Sequence, residues 1–117
     1  MSKSILKDKS YAFAILIVKL SQLLVSDKKE YILSKQLLRS GTAIGALIRE
    51  AEFAQSRKDF INKMSISLKE ANETLYWIDL LKDTNYIDKN QHSILLPLNK
   101  ELVAMLVSSI KTSKSKL

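Results

Sequence analysis

Four glutamates, Glu50, Glu70, Glu73 and Glu101, recur at positions that a helix-rich chain can turn inward, and carboxylates converging inside a helical bundle are the ligands of paired metal ions. That chemistry also requires two Glu-x-x-His motifs, and the one histidine, His92, has Lys89 three residues before it. The motif is absent, so neither metal nor cofactor is expected. Glu70 and Glu73 lie one helical turn apart and are instead placed to pair with Lys69, Arg39 or Arg49. There is no cysteine, which excludes a disulfide framework, thiolate metal sites and a cysteine nucleophile. The serines and threonines have no partner base in a recognisable pattern, so no catalytic residue is assigned and no enzyme is expected. Trp77 beside Tyr76 could stack on bases, but neighbours on a helix point about 100° apart, which favours packing over a shared platform.

The elements that would position these residues are helices. The 117 residues include two glycines and one proline, with 46% hydrophobic and 26% charged residues, a composition that suits one all-α domain and excludes disorder and turn-rich β folds. Three capping patterns, Asp27 with Glu30, Ser56 with Asp59 and Asp88 with Gln91, are spaced about thirty residues apart. They predict an antiparallel up-down-up-down four-helix bundle with helices at about 10–26, 28–54, 57–84 and 89–111 and a basic tail over 112–117.

Apolar steps of three and four residues support the second helix through Leu33, Leu37, Ile44 and Leu47, the third through Ile61, Met64, Leu68 and Ala71, and the fourth through Leu95, Leu98, Leu102 and Met105, with Leu106 and Ile110 widening its stripe. Pro97 predicts a kink in the fourth helix or a later start near Ser93. The first helix is apolar nearly all round. The surplus points to a subunit interface, with Tyr11, Phe13, Ile17 and Trp77 as candidate contacts. Its longest apolar run, residues 11–18, ends at Lys19, short of the ~20 residues of a membrane span, so no membrane is expected.

Gly41 and Gly45 fall inside the predicted second helix, where each costs about 1 kcal/mol against alanine. Close approach of another helix, a break at Ser40-Gly41, and a phosphate cradle lacking its usual strand and lysine are the three readings. Charge is uneven: 19 Lys and Arg face 12 Asp and Glu, and the excess sits at the two ends of the chain. An up-down-up-down bundle brings both ends and the connection between helices two and three to one pole. Lys3, Lys7, Lys9, Arg57, Lys58, Lys111, Lys114 and Lys116 would converge there as a footprint for phosphate backbones, or as a solvated basic rim.

Residues 36–46, QLLRSGTAIGA, followed by Ile48-Arg49-Glu50-Ala51, Lys58-Asp59-Phe60 and residues 69–77, KEANETLYW, resemble the bacterial four-helix-bundle family named for 23S rRNA intervening sequences. The resemblance spans about residues 11–86. It implies a homopentameric ring and a relation to the accessory protein of diversity-generating retroelements, a basic barrel that works with a reverse transcriptase and nucleic acid. The family motifs fall here on Arg39, Ser40, Gly41, Gly45, Lys69, Glu70, Glu73 and Thr74, read as packing and ion-pair positions. Leu47 stands where the family usually has asparagine, which favours an apolar contact there.

The expectation is a cytoplasmic, non-enzymatic homo-oligomer that binds structured RNA or DNA through a basic pole. A scaffold that docks a partner polypeptide is the alternative.

Overall fold

The computed structural model describes residues 2–117, with side chains described from Ile5 onward. Four helices, α1 (Ser2–Ser26), α2 (Leu33–Ala51), α3 (Arg57–Asp83) and α4 (Lys89–Lys114), form an antiparallel bundle 47 Å long and 21 Å across. Each helix packs on the next in the chain, and α4 closes back on α1 through the thinnest seam. The core runs along the axis through Phe13, Ile17 and Leu24 of α1, Leu37 and Ile44 of α2, Ala71 and Ile78 of α3, and Leu102 and Leu106 of α4.

Two of the three predicted caps act as helix starts. Ser56 Oγ accepts the Asp59 N–H at 3.0 Å, and Asp88 with Gln91 forms a complete reciprocal box at 2.8 and 2.9 Å. The third does not. Over residues 27–32 the chain closes α1: Glu30 N–H donates to the Leu24 carbonyl at 3.0 Å, and Lys29 adopts a left-handed φ of 56°. Helix α2 then begins at Leu33, with Glu30 accepting the Ser34 N–H at 2.8 Å in place of an adjacent cap.

Other boundaries shift for equally local reasons. Helix α1 starts at Ser2, and Ser10, expected near its start, lies within it, buried and bonded back to the Lys7 carbonyl at 2.9 Å. The last turn of α2 tightens into i→i+3 bonds over Glu52, Phe53 and Ala54, so regular helix ends at Ala51. Helix α3 ends at Asp83 with Asn85 left-handed at φ 67°, its N–H on the Lys82 carbonyl and that of Tyr86 on Leu81. Helix α4 continues to Lys114, so half of the expected tail is helical. Pro97 lies inside α4 with its ring on the exposed face, and the start near Ser93 is excluded.

The α1–α2 seam explains both glycines. Helix α2 runs unbroken through them, which removes the five-helix reading. A Cβ on Gly41 would lie 2.8 Å from Ile17 Cγ2, and one on Gly45 would lie 3.2 Å from Ser10 Oγ. The missing side chains let α1 settle against α2.

This packing corrects the interface assignment of Phe13 and Ile17. They are 1% and 0% exposed and belong to the chain's own core, because an all-apolar helix does not reveal by periodicity which of its sides turns inward. The apolar residues that α1 does present are Ile5, Tyr11, Ile15, Leu23 and Val25. The span argument from residues 11–18 is also corrected. By length and composition alone, α1 from Ile5 and α4 each contain an 18-residue stretch apolar enough to cross a bilayer, with mean hydropathies of 1.3 and 1.4 over those stretches. Core helices of a bundle pass the same test, and both helices supply core residues here.

Replacing Gly41 with alanine drives a methyl into Ile17. A loss of about 1–3 kcal/mol is expected despite the gain in helix propensity, with Gly45→Ala milder because its nearest neighbour is a hydroxyl. Urea denaturation of the two variants checks the order.

Candidate nucleic-acid interface

One end of the bundle gathers the start of α1, the end of α2, the start of α3 and the end of α4. Lys7 meets Glu52 at 3.2 Å there, and a cavity of about 560 Å³ is lined by residues of all four helices, among them Leu6, Ile48, Met64 and Met105. The candidate cations fall into two groups. Lys7 with Glu52, and Lys9 with Glu101 at 3.3 Å, spend their charge on carboxylates. Arg57, Lys58, Lys111, Lys114 and Lys116 are exposed and form no ion pair among the described residues. The Lys3 side chain lies outside the described residues.

The unpaired cations differ in what local structure does for them. Lys111 and Lys114 sit at the C-terminus of α4, where the helix dipole favours positive charge. Arg57 and Lys58 occupy the first turn of α3, where the same dipole disfavours it. Asp59 in the same turn offsets part of that cost. Arg49, expected as a partner of Glu70 or Glu73 and not as part of the basic pole, is an exposed arginine in the last turn of α2 with no ion pair among the described residues. Its position just before a capped helix start was the available signal.

A second feature near this end is a groove of about 670 Å³ along the outer face of α1 and α2. Its floor is made of small residues, including Ala14, Thr42, Gly45 and Ala46, and Tyr11 and Phe53 line it while remaining 61% and 82% exposed. Trp77, the other aromatic interface candidate, is half-buried on α3 and edge-on to Tyr76, with ring centroids 5.0 Å apart.

The motif residues lie away from the pole, across the α2–α3 seam. Arg39 bridges Glu70 at 3.1 Å and Glu73, and the Trp77 indole N–H donates to the same Glu73 carboxylate at 3.0 Å. Beneath them, the Ser40 and Thr74 hydroxyls are hydrogen-bonded to each other at 2.9 Å and Ser67 Oγ donates to the Ile44 carbonyl at 2.9 Å, both buried. Lys69 is exposed and takes no part in this network. Among the described residues no group of three or more acidic or histidine side chains is placed to hold a metal ion. His92 lies 2.8 Å from Asp79, linking α4 to α3.

The Trp77 N–H and then Arg39 hold the Glu73 carboxylate below its ordinary pKa, and Glu73 in turn raises that of Arg39. The lowered Glu73 value makes its contribution to stability fully present above the unfolded carboxylate pKa and lost as pH falls through the folded value. Glu73→Gln should flatten part of the acid limb of the stability profile and leave neutral stability lower by no more than about 1 kcal/mol, since the pair is solvent-exposed. Thermal melts from pH 2 to 7 measure both.

Comparison with known proteins finds no match among the curated proteins. Among solved structures, a protein of unknown function from the S23 ribosomal protein family of Bacteroides thetaiotaomicron is similar, with 54% identity over 95% of this chain and 99% of that chain and a TM-score of 0.93. The family model for 23S rRNA-intervening sequence protein matches residues 2–108. With a match over nearly the whole chain and the same four-helix architecture, this chain belongs to the 23S rRNA-intervening sequence protein family.

Proposed function

We propose that the protein is a non-enzymatic, cytoplasmic, self-assembling helical bundle that binds structured RNA or DNA through the basic end of its subunits. The observation that carries this reading is the cluster of unpaired cations contributed by α3 and α4, two of them placed against the dipole of α3. Lysines act on phosphates as point charges, and no base-reading helix in a groove is part of the arrangement, so backbone contacts dominate. Each phosphate neutralised on a duplex contributes about 0.9 to the slope of log affinity against log salt.

Assembly is the second part of the proposal. The groove of α1 and α2, with Tyr11 and Phe53 exposed at its edge, supports burial against another subunit, and the homopentameric ring implied by the family resemblance would repeat the basic end around an axis. The same groove is what favours the second reading, a scaffold that docks a partner polypeptide.

Fluorescence anisotropy of a labelled rRNA hairpin and a DNA duplex at several salt concentrations tests the binding. Tight binding that falls steeply with salt is expected, with the triple variant Lys111→Gln, Lys114→Gln and Lys116→Gln reducing the slope by about 2–3. Absence of binding at low salt would overturn the nucleic-acid reading in favour of the scaffold. Light scattering on the purified protein tests assembly. A multimer is expected, shifted toward the single-chain mass by Tyr11→Lys with Phe53→Lys, and a monomeric wild type would overturn it.

A further inference from the structure

The cavity at the basic end has a lining that bundle packing alone does not call for. Its floor is apolar and includes the ring of Phe60 and the thioethers of Met64 and Met105. Its α4 side carries a ladder of hydroxyls, Ser108, Ser109, Thr112 and Ser113, along the last two turns, where earlier turns of the same helix present Leu95, Leu102 and Leu106.

Those hydroxyls differ from the helical threonines elsewhere in the chain. Thr42, Thr74 and Thr84 each donate back to the carbonyl one turn earlier at 2.7 Å, the usual resting arrangement of a helical threonine. Among the described residues, the side chains of Ser108, Ser109, Thr112 and Ser113 make no hydrogen bond within the chain, and none is sealed from solvent. They are available donors and acceptors facing an apolar recess. Lys116 stands at the same cavity, as does Glu52, whose charge Lys7 already offsets.

We propose that this cavity takes one unstacked nucleotide of a bound nucleic-acid strand. The base enters against Phe60, Met64 and Met105, whose ring and sulfur atoms suit an aromatic face. Its polar edge meets the α4 hydroxyls, and its phosphate lies toward Lys116, with Lys111 and Lys114 on the same two turns. A volume of about 560 Å³ is within the ordinary range of small-ligand sites and accepts a nucleotide with its sugar. The inference rests on the nucleic-acid reading above and adds that the preferred target carries an unpaired residue.

Two RNA hairpins that differ only by a single unpaired 2-aminopurine in one stem test it. The hairpin with the unpaired residue should bind at least about fivefold tighter, as one base seated on an apolar platform requires, and the 2-aminopurine emission should change on binding. Ser108→Trp fills the mouth from an exposed position and should abolish that preference while leaving affinity for the paired hairpin unchanged, which also reports that the variant is folded. Equal binding of both hairpins, unaffected by Ser108→Trp but weakened by the three lysine substitutions, would overturn the cavity's role and keep the basic end as a phosphate site. No binding of either hairpin at low salt would overturn both.

Discussion

The architecture depends on the close approach of α1 to α2 at Gly41, where Ile17 occupies the space a side chain would fill. Helix α1 carries more apolar surface than the other helices, and only intimate contact seals its inner side around Phe13, Ile17 and Leu24. That contact sets the start of α1 beside the end of α2. The buried bonds between Ser40 and Thr74, and between Ser67 and the Ile44 carbonyl, hold α3 in step with α2. Two fixed seams thus bring chain ends and the α2–α3 connection to one place, and charges remote in sequence become neighbours.

The interior also contains a cost. Asn99 is fully buried on α4 and neither atom of its side-chain amide has a hydrogen-bond partner among the described residues, an arrangement that penalises the core by about 1–3 kcal/mol. It stands two residues beyond Pro97, which supplies no N–H to the preceding turn, and on the helix whose contact with α1 is the thinnest seam of the bundle. The same helix carries Lys111 and Lys114 of the basic end and the hydroxyl ladder.

Much of this was legible in the sequence because the helices are long and their spacing regular. Caps at Ser56 and Asp88 read true because each bond is local, made within four residues. The pattern at Asp27 misled because Glu30 is drawn into the interior and the chain turns through left-handed Lys29, both results of how α1 meets α2. Phe13 and Ile17 were misplaced for a related reason: an all-apolar helix offers no polar face from which to infer the other. In α4 the expected stripe holds at Leu95, Leu102, Leu106 and Ile110, while Leu98 and Met105 move to the edge and Asn99 takes a buried place that apolar periodicity cannot mark. In the candidate site, periodicity and charge identified the cations but not which of them carboxylates would occupy, since Lys7–Glu52 and Lys9–Glu101 join residues 45 and 92 positions apart only after folding.

The most direct test of the account is hydrogen–deuterium exchange of the protein with and without a structured RNA hairpin at low salt. The account predicts added protection at residues 57–63 and 108–116, with the opposite end, residues 27–32 and 84–92, unchanged. Protection confined to the opposite end, or none at either, would contradict it.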